Sequence, residues 1–181
     1  SKPENVEDLI KSVLKNNSEI GLAFDGDADR LGVISPSGEM IFPDMQMILF
    51  SENILKQNPN SKIVFDVKCS KLLEEAILKS KGTPIMSKTG HTFIKSMIRE
   101  KGAILGGEMS GHIFFNDRWP GFDDGVYAGA RMLEILSYSE GEDIFKALPT
   151  LVSTPEINIE TSDEEKFSII DEFIKMSNFK D

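Results

Sequence analysis

Apolar and polar residues alternate along this chain in two periods, which predict a regular succession of strands and helices. Short apolar runs predict extended segments at residues 20–24, 31–34, 62–67, 83–86, 103–105 and 113–115. Apolar residues at helical spacing predict helices over residues 4–16, 43–57, 70–81, 92–101 and 126–138. We expect Ser70 to cap the third helix, and Asp123 and Asp124 to cap and charge-complement the fifth. Strands alternating with helices are typical of βαβ units, so we predict an α/β fold whose mixed, mostly parallel sheet is flanked by helices.

The pattern changes after residue 150. The sequence Thr-Pro-Glu at 154–156 is typical of a linker, residues 156–160 alternate like a strand, and residues 163–176 have helical spacing. We therefore interpret the chain as a fragment of a longer protein with parts of three domains. These parts are residues 1–40, residues 41–150, and a linker with the start of a further domain at residues 151–181.

Composition narrows the possible functions. The chain has 181 residues, of which 40% are hydrophobic, and this is enough for a real core. The net charge of −10 argues against nucleic acid and against an anionic membrane surface as partners. The single cysteine, Cys69, excludes an intrachain disulfide and fits a reducing compartment such as the cytoplasm.

An acidic loop, residues 25–29, lies between two of the apolar runs. Its carboxylates Asp25, Asp27 and Asp29 alternate along the chain, so an extended backbone can aim them the same way. Their mutual repulsion calls for a cation, and hard oxygen ligands favour Mg²⁺ or Mn²⁺ over Zn²⁺. Arg30 adds a phosphate-type partner. A solvated acidic turn is the alternative, whereas an EF-hand is excluded because its sixth position is Arg30 and its twelfth is Pro36.

Three polar segments follow predicted strands, at residues 66–69, 87–91 and 107–112. Ligands bind beyond the carboxyl ends of parallel strands, so we expect these segments to converge at one edge of the sheet and to line an active site. We expect Cys69, the last residue of the first segment, to be an unreactive core residue.

Five residues in these segments are candidates for binding or catalysis. Lys68 could bind an anion or accept a proton. His91 and His112 are the only histidines, each in a glycine-containing loop, and suit proton transfer or contact with sugar and phosphate oxygens. Glu108 and Ser110, two residues apart in a loop with three glycines, can bond neighbouring sugar hydroxyls. The alternative for this last loop is a flexible turn with a helix-capping serine.

Five motifs then stand in order: FDGDADR at 24–30, FDVKC at 65–69, KTGHTFIK at 88–95, GEMSGH at 107–112 and GFDDG at 121–125. In these motifs and in their spacing the sequence resembles the α-D-phosphohexomutases, particularly the bacterial phosphomannomutase/phosphoglucomutase branch. The resemblance covers essentially the whole chain. It implies that residues 1–40 end domain 2 of a four-domain protein, that residues 41–150 are domain 3, and that residues 151–181 begin domain 4.

The resemblance also implies residue roles. The three carboxylates of the acidic loop are expected to bind Mg²⁺, and Arg30 to support phosphoryl transfer. Glu108 and Ser110 are expected to contact sugar hydroxyls. The remaining expected cleft residues, with roles in acid–base chemistry or ligand positioning, are Lys68, His91 and His112.

The implied activity is interconversion of hexose 1-phosphates and 6-phosphates of mannose and glucose, through a phosphoserine and a bisphosphate intermediate. The phosphoserine loop of the family has no counterpart in these 181 residues. We therefore expect this stretch to be inactive without the missing domains of the same chain and to bind Mg²⁺ weakly. Three alternatives remain: an aspartyl phosphatase with Asp25 as nucleophile, a non-catalytic module that binds Ca²⁺ or a basic partner, and a phosphoglucosamine mutase. Met109 and Ser110 favour the mannose and glucose enzymes over the last of these.

Overall fold

The structure, a computed structural model, describes residues 3–139, 143–150, 159–162 and 164–177. The chain divides into two units, Ser1–Thr150 and Leu151–Asp181. Among the described residues, no helix combines the length and the apolar character needed to cross a bilayer.

The first part of the larger unit is a small antiparallel sheet of β1 (Gly21–Phe24), β2 (Leu31–Ile34) and β3 (Met40–Ile41). Strands β1 and β2 form a hairpin whose register pairs Phe24 with Leu31, so the acidic loop is the hairpin connection. A 3₁₀ turn (Pro3–Val6) and α1 (Glu7–Asn16) precede the sheet where one helix over residues 4–16 was predicted. The two-residue strand β3 was not predicted.

The second part is a four-stranded sheet with strand order β5-β4-β6-β7. Its strands are β4 (Lys62–Asp66), β5 (Thr83–Ser87), β6 (Leu105–Gly107) and β7 (Ile113–Phe115). Strand β4 runs parallel to both β5 and β6, and β7 is antiparallel to β6. The prediction of a mixed, mostly parallel sheet is therefore confirmed. The helices of this unit that follow are α2 (Pro43–Gln57), α3 (Lys71–Lys79), α4 (His91–Lys101) and α5 (Gly125–Ser137).

The two faces of this sheet bury different side chains because successive strand residues point to opposite sides. On β4, Ile63 and Phe65 join a large core cluster with residues of α2, α3 and α5. Val64, between them, joins a smaller cluster with Ile94 and Ile98 of α4. The sheet is thus covered by three helices on one face and by α4 on the other.

Strand β6 lies later in the chain than the predicted segment 103–105. The sequence indicates a loop from residue 106 onward, but the first two glycines of that stretch belong to the strand. A Cβ on Gly106 would lie 2.7 Å from Ile98 Cδ1, and one on Gly107 would lie 2.5 Å from Met47 Sδ. Glycine is therefore needed in this strand because helices pack closely against both of its faces.

Two helix caps differ from each other. Ser70 stands at the N-cap position of α3 but makes no capping hydrogen bond with its side chain, so that expectation was wrong in detail. The buried carboxylate of Asp44 accepts a hydrogen bond from Ser70 N at 3.2 Å instead. Asp124 caps α5 as predicted, since Oδ1 accepts from Tyr127 N at 2.8 Å.

A charged network lies at the side of α5. Arg131 is buried, and its guanidinium lies 4.5 Å from the ring centroid of Phe115. Arg131 Nη1 donates to Asp117 Oδ1 at 2.9 Å, and Nε lies 3.2 Å from Glu134 Oε2. Arg118 forms a two-pronged pair with the same Glu134. Both carboxylates thus serve to satisfy a buried cation.

In the smaller unit the structure describes one helix, α6 (Lys166–Met176), which begins after the predicted residue 163. The predicted linker at 154–156 and most of the predicted strand at 156–160 lie outside the described residues. Ile159 and Glu160 are described and are not in a strand.

Candidate functional site

The carboxyl ends of β4, β5 and β6 meet at one edge, and a single buried carboxylate joins the segments that follow them. Asp66, the last residue of β4, is fully buried. Its Oδ1 accepts from Cys69 Sγ at 3.2 Å and from Met109 N at 3.3 Å, and its Oδ2 accepts from Thr89 Oγ1 at 3.3 Å. The three polar segments therefore converge as predicted, and Asp66 is a residue that sequence reasoning missed.

The loop after β6 is a tight turn. Glu108 N donates to His112 O and Gly111 N donates to Glu108 O, each at 3.0 Å. The Glu108 side chain is buried, and its Oε1 accepts from Gly90 N at 2.6 Å, which ties this loop to the one after β5. Ser110 Oγ is buried and has no hydrogen-bond partner in the described part of the chain. The two predicted sugar contacts thus occupy one fixed loop.

The acidic loop gathers its three carboxylates. One oxygen from each of Asp25, Asp27 and Asp29 lies within 4.8 Å of the other two. Ala28 sits in the left-handed region with φ of +59°, a conformation that costs an L-residue about 1–2 kcal/mol. It is held there from both sides, since Ala28 N donates to Asp25 O at 3.1 Å and Ala28 O accepts from Gly125 N at 2.9 Å.

Arg30 contacts two of the three carboxylates of this loop. Its Nε lies 3.0 Å from Asp25 Oδ2 and 3.6 Å from Asp29 Oδ1. Its backbone N also donates to Asp25 Oδ1, at 3.2 Å. Half of the Arg30 side chain remains exposed, beside a cleft of about 340 Å³ whose lining includes Asp25 and Ser110. The cleft therefore joins the acidic loop to the predicted sugar loop.

The chemistry of the acidic loop fits a divalent cation. Burial raises the pKa of Asp29, and the neighbouring Asp25 and Asp27 raise it further, against the opposing effect of His112 and Arg30. Asp29 Oδ1 is buried and accepts no hydrogen bond from the residues that the structure describes. An ionised Asp29 is thus poorly compensated by the protein alone, and a hard cation among these oxygens would supply the missing charge.

Beside this loop lies a cluster of imidazoles around a second carboxylate. His112 Nδ1 lies 3.2 Å from Asp123 Oδ2 and 3.5 Å from Asp29 Oδ2. His91 Nδ1 lies 3.6 Å from the same oxygen of Asp123, and the two histidine rings stack with centroids 5.7 Å apart. Lys95 Nζ donates to Asp123 Oδ1 at 3.0 Å. Both predicted histidines therefore meet at the edge of the acidic loop.

The capping role predicted for Asp123 was wrong. It does not cap α5, because the next residue, Asp124, provides the cap. Burial raises the pKa of Asp123, but the hydrogen bond from Lys95, a backbone hydrogen bond and the charges of Lys95 and His112 together outweigh this effect, and the net pKa is lowered. Asp123 is thus an ionised partner for the histidines.

Backbone pairing holds these side chains in place. Isolated β-bridges join Arg30 to His112 and Phe114 to Asp123. Gly125 closes the arrangement, because a Cβ at this position would lie 2.6 Å from Arg30 O. The glycines of the GFDDG motif were the sequence signal for this close approach, but the motif does not reveal which backbone is approached.

Lys68 and Cys69 lie next to each other in the turn after β4. Lys68 is exposed in the turn after β4, at the same edge of the sheet as the other candidates. Cys69 is buried, and burial together with the neighbouring Asp66 raises the pKa of its thiol. This agrees with the prediction that Cys69 is an unreactive core residue.

Comparison with known proteins adds a family match. The family model described as phosphoglucomutase/phosphomannomutase, alpha/beta/alpha domain III, matches residues 42–153. A phosphomannomutase/phosphoglucomutase of Pseudomonas putida is 52% identical over 172 residues, which are 94% of this chain and 37% of that protein. A phosphoglucomutase of Neisseria gonorrhoeae is 55% identical over 160 residues, 88% of this chain and 35% of that protein.

A solved structure gives the same result for the fold. The crystal structure of a phosphoglucomutase/phosphomannomutase family protein from Burkholderia thailandensis superposes with a TM-score of 0.91 at 46% sequence identity. The match covers 99% of this chain and 38% of that chain. This chain therefore spans well under half the length of each of these relatives.

Proposed function

This chain belongs to the phosphoglucomutase/phosphomannomutase family, and from this premise we propose that the protein containing it interconverts hexose 1-phosphates and hexose 6-phosphates of mannose and glucose. Since the chain spans 37% of the Pseudomonas putida relative, the activity is assigned to the whole protein. We further propose that residues 1–40 end domain 2, that residues 41–150 are domain 3, and that residues 151–181 begin domain 4. A cytoplasmic location belongs to the same proposal, since the single cysteine of this chain fits a reducing compartment.

We assign the acidic loop to Mg²⁺, with Asp25, Asp27 and Asp29 as ligands. When bound there, Mg²⁺ supplies positive charge that stabilises a phosphoryl group in transfer. Arg30 contacts Asp25, and half of its side chain is exposed where it lines the cleft. This placement supports a role for Arg30 in binding a phosphate oxygen of the substrate.

The loop after β6 is assigned to the sugar. Ser110 Oγ is a buried hydroxyl with no hydrogen-bond partner among the described residues, so an incoming hydroxyl would satisfy it. Glu108 already accepts the Gly90 N–H through Oε1, which fixes the orientation of its carboxylate toward a second donor. Two polar groups held at fixed spacing can select the orientation of neighbouring sugar hydroxyls.

Lys68, His91 and His112 are assigned to acid–base chemistry or ligand positioning. A hydroxyl that attacks phosphorus must lose its proton, and an imidazole near neutral pKa accepts one readily. His91 has 55% of its side chain exposed and can meet the substrate, whereas His112 is nearly enclosed by carboxylates. One oxygen of Asp123 lies near both imidazoles, 3.6 Å from His91 Nδ1 and 3.2 Å from His112 Nδ1.

One observation carries this proposal: the bridge between Arg30 and His112 brings the acidic loop and the sugar loop to one edge. Phosphoryl transfer to a sugar hydroxyl requires a metal site and a hydroxyl-binding site in contact with the same substrate. An aspartyl phosphatase would leave the loop that carries Glu108 and Ser110 without a role. Its pairing with the acidic loop through Arg30 and His112 therefore favours the mutase.

The test follows conversion of glucose 1-phosphate and mannose 1-phosphate, with Mg²⁺ and a bisphosphate activator. The 181-residue chain is compared with the complete protein that contains it. We expect activity in the complete protein and none in this chain alone, because the family's phosphoserine lies outside it. Asp27→Asn should lower kcat at least about a hundredfold, since metal charge is worth several kcal/mol and ~1.4 kcal/mol is tenfold.

Asp8→Asn is the matched control, because the Asp8 side chain is fully exposed on α1. It should leave kcat unchanged. Phosphate-ester hydrolysis by the 181-residue chain, abolished by Asp25→Asn, would instead establish the phosphatase. A complete protein inactive on both sugars would refute the mutase assignment.

A further inference from the structure

The strongest unassigned feature is the triangle of Asp29, His112 and Asp123. One donor atom from each of these residues lies within 4.8 Å of the other two. His112 Nδ1 lies 3.2 Å from Asp123 Oδ2 and 3.5 Å from Asp29 Oδ2. Donor atoms at ~2.0–2.1 Å from a tetrahedral zinc ion lie about 3.3 Å from one another. The two nitrogen-to-oxygen distances therefore match one tetrahedral coordination sphere.

Each carboxylate divides its oxygens between two tasks. Asp123 gives Oδ1 to Lys95, at 3.0 Å, and turns Oδ2 toward His112. Asp29 has Oδ1 at 3.6 Å from Arg30 Nε and turns Oδ2 toward the same imidazole. The two cations thus lie beside the other oxygens of these carboxylates and do not occupy the two oxygens that face His112.

The imidazole nitrogen itself lacks a hydrogen bond. His112 Nδ1 is buried and has no hydrogen-bond partner among the described residues, although two carboxylate oxygens lie nearby. Oxygens on the ring-nitrogen axis would accept a proton from an imidazolium. Co-ligands of one metal ion instead lie beside that axis, because the ion occupies it. The arrangement therefore fits a shared metal better than a shared proton.

The ligands are also held in place before any ion binds. Arg30, next to Asp29, forms a backbone bridge with His112, and Phe114 forms one with Asp123. The His112 side chain is only 12% exposed. A preorganised site loses little entropy on binding and resists rearrangement.

We propose that Asp29, His112 and Asp123 form a second metal site, which takes a borderline divalent ion such as Zn²⁺ and is distinct from the three-aspartate site. One nitrogen with two oxygens suits zinc or cobalt, whereas Mg²⁺ prefers oxygen ligands only. The fourth position is left to water, phosphate or His91, whose Nδ1 lies 3.6 Å from Asp123 Oδ2. Because Asp29 belongs to both sites, zinc bound here affects cation binding by the acidic loop. The proposal does not rest on the mutase activity.

The experiment titrates Zn²⁺ into the 181-residue chain with Mg²⁺ in large excess. Zinc affinity is read from competition with a chromogenic chelator, and Co²⁺ serves as a spectroscopic probe of nitrogen ligation. Asp123→Asn removes a charge from the triangle alone, and Asp27→Asn removes one from the three-aspartate site alone. We expect Asp123→Asn to weaken zinc binding at least about tenfold, because even outer partners of metal ligands contribute ~10–100-fold. Asp27→Asn should weaken it less than Asp123→Asn does, because Asp27 supplies no atom of the triangle and acts on it only through Asp29.

Lys95→Met gives a second, opposite readout. It removes a positive charge that lies 3.0 Å from Asp123 Oδ1 and repels a bound zinc ion, so zinc binding should tighten about two- to fivefold. If Asp123→Asn lowers the urea midpoint of the chain, the Lys95→Met result decides on its own. Zinc that is fully displaced by Mg²⁺, or weakened by Asp27→Asn and not by Asp123→Asn, would overturn the proposal. The same holds for zinc affinity that Lys95→Met leaves unchanged or weakens.

Discussion

Replacing Gly125 by alanine tests the close approach of α5 to the acidic loop. A Cβ at Gly125 would lie 2.6 Å from Arg30 O, 2.8 Å from Arg30 C and 2.9 Å from Ala28 O. All three atoms belong to the backbone, so no side chain can rotate away. Either α5 or the acidic loop must move.

Three energies decide the sign of the effect. Alanine in a helix gains at most about 1 kcal/mol over glycine, and less at the first residue of α5. Overpacking costs about 1–3 kcal/mol. Displacement also weakens the bond from Gly125 N to Ala28 O, which is worth about 1 kcal/mol. We therefore expect Gly125→Ala to lower the free energy of unfolding by about 2 kcal/mol.

Gly129→Ala is the control within the same helix. A Cβ there would meet Phe24 Cζ at 3.2 Å, and the Phe24 side chain is 44% exposed and free to turn. Its stability should stay within about 0.5 kcal/mol of the wild type or exceed it.

Urea unfolding measures both variants. The single tryptophan, Trp119, stacks on Tyr127 of α5 at 4.3 Å, so its fluorescence reports on this helix. With a slope of ~1–3 kcal/mol/M, the midpoint of Gly125→Ala should fall by about 1 M. Equal midpoints for Gly125→Ala, Gly129→Ala and the wild type would refute the close approach.

Two further predictions concern the charged network beside α5. Asp117→Ala leaves buried Arg131 with Glu134 as its remaining carboxylate in the network, so unfolding free energy should fall by about 3 kcal/mol, the lower end for breaking a buried pair. Asp8→Ala, on an exposed side chain, should change the urea midpoint little, and equal losses in both variants would contradict this account. The hydrogen bond from Arg118 lowers the pKa of Glu134. A lowered pKa stabilises the fold above the unfolded value of 4.5, and this contribution disappears as pH falls through the folded pKa. Glu134→Gln should therefore reduce the loss of stability in urea titrations on the acid side of 4.5, and an unchanged pH profile would refute this assignment.

The helices and strands were largely predictable because local signals mark their ends. Helix α2 runs from Pro43 to Gln57 as predicted, with proline at its first position and Asn58 after its last. The position of the acidic loop was equally predictable, since the apolar runs on both sides of it predict the two strands that it connects. The position of strand β6 was predicted wrongly because its glycines are required by the close packing of helices against the strand. No local sequence pattern indicates such packing.

The partners of the site residues were less predictable. The pair Asp123-Asp124 has the local signature of a helix cap, and one of the two residues does form that cap. The other faces residues far away in sequence, His91 and Asp29 among its neighbours. Likewise, nothing around Glu108 indicates that it accepts the Gly90 N–H. Such contacts depend on which strand ends meet, and the chain reveals this only when folded.

The bond from Gly125 N to Ala28 O has a consequence for the order of folding. It joins residues 97 positions apart (125 minus 28), and Leu31 N reaches Gly111 O across 80 positions (111 minus 31). Closing a segment of this length costs conformational entropy before the contact contributes any stabilisation. Such contacts therefore form late in folding. During synthesis the acidic loop emerges long before its partners, with its carboxylates still in water and their mutual repulsion screened. The acidic loop is therefore synthesised early but reaches its folded contacts late.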